Sequence, residues 1–583
     1  MNNFQFVLHP GFALLLGGIS AAVVRQKLIR QVIMVVAPLW SIAAALSLPA
    51  GTQWGYPFMN LQLVILRADA LSLLFAFIFG VIAFLSCLYA LHVKSSGEAA
   101  AALLYAGSSL SVVMAGDWLT LIFFWEIMAV SSVFLVWNRK TPQAIAAGFR
   151  YLLIHMLGGN LLLAGIFLQV TGGQLTITPL TGMQDGAYWL ILVGIAINAA
   201  IPPLHAWLTD AYPEATPSGS VFLSSFTTKT AIYCLIRIFP GTQLLLYLGV
   251  LMALYGVIFA ILENNIRRLL SYHILSQLGF MLVGIGIGTE LSLNGAAALA
   301  CSHLIYNSLL FMGAGAVVYA TGKNKLTELG GLYRSMPWTA VFFGIAALSI
   351  SGIPLFVGFI TKPMVITAAI VNRLPTVELL LTVASIGTFL SIALKLNYFM
   401  FFGAERGLKT EKIPFNMSLA MAGGSFLCLL YGMVPRLFYE RLPYVVDFQS
   451  YTVGHVFSTV QLMLAALVAF WLVLPKMATH NVISLDTDWF YRKPFAALMG
   501  GLVRLVCEIK DQSGVYGRAA LTSVVPFFRN PVKWAAQTVE GPAPDYYDAD
   551  RYRTPVGVIV LVSIVIFVLA FSYVWLWQGN FFG

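Results

Sequence analysis

Two long hydrophobic stretches of this chain are each interrupted by proline near the middle. One interruption reads Asn198-Ala-Ala-Ile-Pro202-Pro203 and the other Ser351-Gly-Ile-Pro354, and the stretches that contain them lie five apart in order. Proline inside a helix removes a backbone hydrogen bond, and in a bilayer the freed groups are tolerated only where they are buried in protein or line a polar cavity. Interrupted helices at matching positions in two halves predict an internally repeated transporter with a polar path at mid-depth.

The composition is that of a membrane protein. Hydrophobic residues make up 59% of the 583 residues, charged residues make up 10%, and the mean hydropathy is +0.85. Soluble proteins carry about 25% charged residues. About sixteen segments approach the roughly 20 apolar residues that a spanning helix needs. The sequence therefore predicts an all-α polytopic membrane protein.

The basic residues follow the alternation of the connections. The formal net charge is +10, and 25 of the 33 Lys and Arg residues lie in alternate connections or in the long segment 476–555. Basic connections face the cytoplasm, which predicts an outside N-terminus and a cytoplasmic 476–555 segment. Arg25, Lys27 and Arg30 follow the first hydrophobic stretch rather than precede it, so that stretch is expected to be a span and not a cleavable signal peptide. The positive charge predicts membrane orientation and no nucleic-acid partner.

The interruptions also divide the predicted fold. We expect two inverted five-helix repeats, each with its broken helix in fourth place, then a lateral amphipathic helix and a final transmembrane helix. A solvated cytoplasmic domain is the alternative for the lateral segment. The predicted parts are 1–98 (N-terminal transmembrane helices), 99–240 (first repeat), 241–402 (second repeat), 403–475 (C-terminal transmembrane helices), 476–555 (lateral segment) and 556–583 (last transmembrane helix).

The sequence carries no sign of a redox or hydrolytic centre. Its five cysteines are scattered, and no pair has the spacing of a zinc site, an iron–sulfur site or a redox site. It also lacks a P-loop and a catalytic soluble domain. We therefore expect no cofactor and no metal ion in this chain. Whether it belongs to an ion-translocating oxidoreductase depends on its partners.

Three ionisable residues lie inside predicted spans close to these features. Each costs about 2.5–3.5 kcal/mol to insert, so such residues usually mark ion pathways. Glu126 in a bilayer is either paired with a cation or protonated, with a structural ion pair as the alternative to a relay. Lys229 is a candidate proton acceptor because desolvation destabilises its ammonium, although it could also extend to an interface. Lys362 follows the second interruption, where freed backbone carbonyls could solvate a cation.

Further polar residues could extend the path. His303 and Asn307 are four apart and share a helix face, and a histidine can relay protons near neutral pH. Lys395 lies about two turns from the basic end of its span, so extension to the interface is the favoured interpretation. The remaining candidates, each with ordinary packing as the alternative, are Asn198, His155, His205 and His273.

Several of these stretches resemble the proton-conducting membrane transporter family. That family comprises antiporter-like subunits of respiratory complex I, membrane subunits of membrane-bound hydrogenases, and components of multisubunit cation/proton antiporters, notably the D component. The resemblance covers roughly residues 65–405, and a longer tail resembles the lateral segment of longer members. The stretches that carry it are Asp117 followed by Phe-Phe-Trp-Glu126, Pro202 to Pro217, Ser276-Gln-Leu-Gly-Phe280, Gly352 to Phe359, and Asp486-Thr-Asp-Trp-Phe-Tyr-Arg-Lys493.

The resemblance implies roles for individual residues. Glu126 matches the essential glutamate of the fifth span, and the family mechanism implies a hydrated axis along which a Glu–Lys pair switches. Two departures matter: Asn198 and Asn307 stand where the family usually has lysines, and asparagine cannot titrate. The other matched residues are Lys229, His303 and Lys362, as the lysine of the eighth span, the histidine of the eleventh span and the terminal lysine.

These observations predict a proton-translocating membrane subunit of a larger complex I-like or hydrogenase-linked ion pump. The alternatives are a component of a multisubunit Na+/H+ antiporter, similar to its D component, and a non-conducting scaffold. A membrane partner for inorganic-carbon capture is a further possibility, and nothing in the sequence separates it from the others. We expect other membrane subunits as partners, a redox module or an existing ion gradient as the energy source, protons or Na+ as the ions, contact with lipid, and a location in the cell inner membrane.

Overall fold

The computed structural model describes residues 9–182, 184–474, 486–487, 489, 493–494, 496–529 and 560–569. The chain divides into two compact units, 1–488 and 489–583. Twelve helices of the described residues are long and apolar enough to cross a membrane, and five further apolar helices are shorter. The prediction of an all-α polytopic membrane protein is confirmed.

The elements of the first unit run in chain order as helices with one hairpin. They are α1 (Pro10–Val23), α2 (Lys27–Ser47), β1 (Gln53–Phe58), β2 (Leu61–Arg67), α3 (Ala70–Ala90), α4 (Ser96–Met114), α5 (Trp118–Trp137), α6 (Pro142–Thr171), α7 (Gly186–Asn198), α8 (Ala206–Ala211), α9 (Pro217–Leu223), α10 (Thr227–Ile238), α11 (Gln243–Leu262), α12 (Ile266–Ile287), α13 (Glu290–Thr321), α14 (Pro337–Ser351), α15 (Val357–Val371), α16 (Pro375–Thr388), α17 (Phe415–Met433), α18 (Arg436–Tyr439) and α19 (Val453–Val473).

Both predicted interruptions are present. Helix α7 ends at Asn198 and α8 begins at Ala206, while α14 ends at Ser351 and α15 begins at Val357. Each gap contains a non-glycine residue in the left-handed region, a conformation that costs about 1–2 kcal/mol. These residues are Ala200 (φ +54°) and Leu355 (φ +78°). The inverted relation between the two halves stays a prediction.

A third interruption was not predicted. Helix α9 ends at Leu223 and α10 begins at Thr227, and the intervening residues Ser224 to Phe226 form a turn. Neither proline nor glycine stands in this turn, so the sequence carries no breaker there. The eighth predicted span is therefore two short helices with freed backbone groups between them.

The helix that begins with α16 continues with π-helical winding. Residues Phe389–Leu396 and Tyr398–Phe402 are π-helical. Such winding is rare and frequently marks functional positions. It contains Lys395, one of the candidate residues.

A two-stranded hairpin lies between the second and third spans. Strands β1 and β2 pair in antiparallel fashion. Asp117 holds the hairpin, because its Oδ2 accepts a hydrogen bond from Val64 N at 2.7 Å. The same carboxylate caps α5 by accepting from Thr120 N at 2.8 Å. This buried acid at a span end therefore has a structural role.

Helices α11 and α12 pack closely through glycine. A Cβ atom placed at Gly279 would lie 2.4 Å from Ala253 N, and one at Gly256 would lie 2.5 Å from Ser276 N. Small residues let helix backbones approach in this way. The contact matters for the candidate residues because α12 carries His273.

The second unit is described only in part. Helix α20 (Ala496–Arg529) lies within the predicted lateral segment, and α21 (Val560–Leu569) lies within the last predicted span. The remaining parts of both predictions, including 475–485, 530–559 and 570–583, fall outside the described residues.

We expect Gly279→Ala to lower the free energy of unfolding in mild detergent by about 1–3 kcal/mol, because the added methyl group meets backbone atoms that cannot turn away. Gly454→Ala is the matched control, since Gly454 is also helical and a Cβ there meets nothing within 4 Å. Equal stability of the two variants would contradict the close packing of α11 on α12.

Candidate functional site

Lys229 binds a carbonyl that the third interruption sets free. Its Nζ donates to Ser224 O at 2.6 Å, and the side chain is fully buried. Asn307 Nδ2 on α13 donates to the same oxygen at 3.2 Å. The turn between α9 and α10 thus creates the acceptor that holds the lysine, and it brings Lys229 and Asn307 together.

Lys362 is held in the same way at the second interruption. Its Nζ donates to Ile350 O at 2.7 Å, in the last turn of α14. The ammonium also lies 5.3 Å from the centre of the Phe280 ring. Lys362 lines a cavity of about 180 Å³ together with polar side chains that include Ser385 and His455. At about 30 Å³ for each molecule in liquid water, such a cavity has room for several waters.

Lys395 binds the carboxyl end of another helix. Its Nζ donates to Ile261 O at 2.5 Å and to Glu263 O at 2.9 Å, where α11 ends. The residue is 1% exposed. The ammonium therefore reaches backbone carbonyls rather than the solvent that the favoured sequence interpretation assigned to it.

The three buried lysines therefore share one environment. Each ammonium lies at the carboxyl end of a helical segment, where carbonyls lack partners within the helix and the helix dipole contributes about half a negative charge. This environment offsets part of the cost of burying a cation. No carboxylate of the described residues lies within ion-pair distance of Lys229, Lys362 or Lys395.

Helix α13 connects the second and third interruptions. Asn307 reaches Ser224 O at the third interruption, and Ser302 shares a hydrogen bond of 2.8 Å with Thr361, the neighbour of Lys362. His303 stands between these two contacts on the same helix and is fully buried. Neither ring nitrogen of His303 has a hydrogen-bond partner among the described residues.

His273 joins α12 to the π-helical segment. Its Nε2 lies 2.8 Å from Ser391 Oγ, and its Nδ1 has no partner among the described residues. Ser391 stands one turn before Lys395 in the same winding. His273 thus contacts the winding that carries Lys395, and among the described residues it forms no hydrogen bond with Lys362 or Lys395.

Glu126 packs against helix α6. It is half-buried on α5 and packs against Gly159 of α6, where a Cβ atom would come within 2.0 Å of Glu126 Oε1. Among the described residues it forms no hydrogen bond and no ion pair. The Glu–Lys pair that the family resemblance implies is therefore not formed in this structure.

His155 stands one turn before Gly159 on α6. Its ring stacks on Tyr151 with centroids 3.9 Å apart, and its Nδ1 lies 3.0 Å from Tyr151 O. Its Nε2 has no partner among the described residues. His155 therefore keeps one buried nitrogen for a further hydrogen bond.

Asn198 ends α7 at the first interruption. The residue is fully buried, and neither its Oδ1 nor its Nδ2 has a partner among the described residues. The nearby carbonyl of Ile197 is satisfied by Trp207 Nε1 at 2.9 Å. The amide of Asn198 thus faces the interior with its full hydrogen-bonding capacity.

His205 contacts Asp486, which the sequence analysis named only as part of a motif in the tail. Its Nε2 lies 3.2 Å from Asp486 Oδ1, and both side chains are fully buried. Tyr272 donates to Asp486 Oδ2 at 2.5 Å, and Tyr255 also donates to this carboxylate. Thr209 Oγ1 adds a longer contact of 3.4 Å.

Both oxygens of Asp486 accept hydrogen bonds, which is the pattern that an ionised carboxylate satisfies. Burial alone would raise the pKa of the Asp486 carboxyl, but the hydrogen bonds from His205, Tyr255 and Tyr272 hold it well below its usual range. No spacing signal relates Asp486 to His205, because the two residues are 281 positions apart.

Many buried polar atoms of these helices have no hydrogen-bond partner within the part of the chain that the structure describes. In native structures such atoms are bonded to ordered water, because an unsatisfied buried group costs about 1–3 kcal/mol. Within the described ranges, no group of three His, Cys, Asp or Glu side chains converges as metal ligands would. The arrangement is therefore suited to holding and passing protons through side chains and water. The unpartnered atoms include those of Asn198, His155, His303, Asn307, Thr228, Thr230 and Gln277.

Comparisons with known sequences agree on one family. The family described as NADH:quinone oxidoreductase/Mrp antiporter, TM, matches residues 115–391. An uncharacterised protein of Methanocaldococcus jannaschii is 33% identical over 353 residues, covering 57% of this chain and 73% of that protein. The D component of the Na(+)/H(+) antiporter of Alkalihalophilus pseudofirmus is 30% identical over 312 residues, covering 50% of this chain and 63% of that protein.

The fold has a counterpart among solved structures. The structure of the membrane-bound sulfane sulfur reductase, an archaeal respiratory membrane complex, contains a chain with a TM-score of 0.70 and 23% sequence identity. The match covers 97% of this chain and 99% of that chain, and at this identity it establishes the fold alone. Sequence and fold together show that the chain is a multi-pass membrane protein of the NADH:quinone oxidoreductase/Mrp antiporter family, the antiporter-like membrane subunits.

Proposed function

We propose that this chain translocates protons across the membrane as one subunit of a larger complex. The observation that carries the proposal is the pair of buried lysines Lys229 and Lys362, each at a helix interruption and joined through α13. A lysine in this setting can lose its proton at modest cost, since burial disfavours the ammonium while the carbonyl favours it. His303 lies between them and can accept a proton on either ring nitrogen through water.

The roles of the first-half residues follow from the same chemistry. Glu126, with no ion-pair partner among the described residues, would exchange a proton with water beside Gly159. His155 and His205 are titratable groups on α6 and at the first interruption, where Asn198 can only hydrogen-bond. Lys395 and His273 extend the set in the second half.

Exchange of protons for Na+ is the second candidate function. It is supported by the 30% identity with the D component of an Na(+)/H(+) antiporter. The two candidates differ in energy source: a partner redox module drives the first, and an existing ion gradient drives the second. Proton movement that requires Na+ in a complex without redox subunits would favour exchange, whereas co-purification with redox subunits would favour the pump.

We expect Glu126→Gln, Lys229→Met and Lys362→Met each to lower the initial rate of proton translocation by at least about tenfold, because each removes a group that changes protonation along the path. The measurement uses the complex purified with its co-subunits and reconstituted into vesicles that contain a pH-sensitive dye. Lys409→Met is the matched control, since Lys409 is an exposed lysine in a connection. Wild-type rates in all three variants would instead assign the chain a scaffold role.

We expect the buried ammonium of Lys229 to lower the free energy of unfolding. We expect Lys229→Met to leave the free energy of unfolding in detergent unchanged or to raise it by about 1–3 kcal/mol, because an apolar side chain replaces a buried cation that has no anionic partner among the described residues. Arg237→Met is the contrasting variant and should lower it by about 1–3 kcal/mol. Arg237 holds Asp69 through two hydrogen bonds of 2.7 Å, which the substitution removes. A clear loss of stability in Lys229→Met would mean that the lysine is structural.

We also propose an inner-membrane location with the basic connections in the cytoplasm. Lys409 and Arg436 lie in the connections at opposite ends of α17, and both are exposed. In a Cys507→Ser background, Lys409→Cys should react with a membrane-impermeant maleimide only from the cytoplasmic side, and Arg436→Cys only from the opposite side. Labelling of the two positions from one side would contradict this topology.

A further inference from the structure

Asp486 contacts residues of the first interruption. Its carboxylate is bound by side chains from three places: His205 and Thr209 at and within α8, Tyr255 on α11 and Tyr272 on α12. Asp486 is 5% exposed as a residue, and its side chain is fully buried. An acid buried among several donors that are far away in sequence is a built site.

This carboxylate is a fixed negative charge rather than a proton carrier. Its two oxygens accept from the hydroxyls of Tyr255 and Tyr272, from the imidazole of His205 and from Thr487 N at 2.5 Å. Protonation would break part of this set, because a protonated carboxyl must itself donate. The charge is therefore retained while protons move nearby.

The charge determines which nitrogen of His205 is available. An ionised carboxylate only accepts hydrogen bonds, so the Nε2 of neutral His205 must carry the hydrogen that Asp486 binds. The Nδ1 atom is then the basic position, and it is buried with no partner among the described residues. A carboxylate that binds one imidazole nitrogen commonly fixes the tautomer and the orientation of the ring.

The tautomer of His205 matters because of where this residue lies in the fold. His205 directly precedes α8, seven residues after Asn198, whose amide is also buried without a partner among the described residues. Asn198 cannot carry a proton. His205 is thus the titratable side chain of the first interruption, as Lys362 is of the second.

We propose that Asp486 is a positioning residue for proton transfer in the first half, acting through His205. It holds the imidazole in one tautomer and orientation, with Nδ1 free to accept a proton. This inference rests on the proposed function and adds a role for the segment beyond α19.

The test is a double-mutant cycle on proton translocation by the reconstituted complex. An asparagine at 486 can donate to Nε2 and so favour the opposite tautomer, with the hydrogen on Nδ1. We expect Asp486→Asn to lower the rate at least about tenfold. We also expect it to lower the rate no further when His205→Gln is already present, because the acid acts through that histidine. Asp511→Asn, which removes an exposed acid of α20, is the matched control and should keep the wild-type rate.

Two results would overturn the proposal. One is a wild-type rate in Asp486→Asn. The other is a pair of effects that multiply in the double variant, which would mean that Asp486 only stabilises the fold. Glu126→Gln, Lys229→Met and Lys362→Met are measured in parallel. If all three also translocate at the wild-type rate, the proposed function has failed; if they lose translocation while Asp486→Asn does not, only the role of Asp486 has failed.

A second variant tests the proposal if the Asp486→Asn chain does not assemble into the complex. Tyr272→Phe removes one donor to the carboxylate and keeps the side chains of Asp486 and His205. We expect it to lower the rate about threefold in the wild-type background and to have no effect in the His205→Gln background. An unchanged rate in the wild-type background, or an equal loss in both backgrounds, would overturn the proposal.

Discussion

The structure depends on the contact between a buried ammonium and the carboxyl end of a helix. Moving an ammonium out of water costs several kcal/mol, and the described residues offer no carboxylate to any of the three buried lysines. What each lysine has instead is a backbone carbonyl at the end of a helical segment: Ser224 O for Lys229, Ile350 O for Lys362, and Ile261 O with Glu263 O for Lys395. A neutral acceptor stabilises the cation without trapping it, as a buried carboxylate would.

Interrupted helices supply the acceptors of Lys229 and Lys362, whereas Lys395 uses the ordinary end of α11. A continuous helix uses its carbonyls internally, so a lysine at mid-depth finds none, whereas a helix that stops inside the protein exposes several. Stopping and restarting a helix has a conformational cost, because Ala200 and Leu355 adopt the left-handed conformation in the two gaps. Helix α13 is uninterrupted from Glu290 to Thr321, and it can therefore connect two of the interruptions through side chains on one helix.

The sequence predicted those parts of the site that depend on the chemistry of single residues and their immediate neighbours. Proline identified the interruptions after Asn198 and Ser351, and charge inside apolar stretches identified Lys229 and Lys362. The turn at Ser224 escaped prediction because serine and phenylalanine are compatible with a helix, so packing around the turn determines it. The role of Asp486 was not predicted because its partners come from helices that are distant in sequence. Its burial among them exists only in the folded chain.

Asn307 gives the acceptor of Lys229 a second donor. Ser224 O therefore stays hydrogen-bonded if the ammonium swings away, and the departure leaves no orphaned oxygen in a dry interior. The energy needed to displace the lysine is then limited to its own bond and its own solvation. The Asn307 amide can thus replace the Lys229 ammonium as the donor to Ser224 O. The lysine side chain can therefore move while the surrounding helices keep their arrangement.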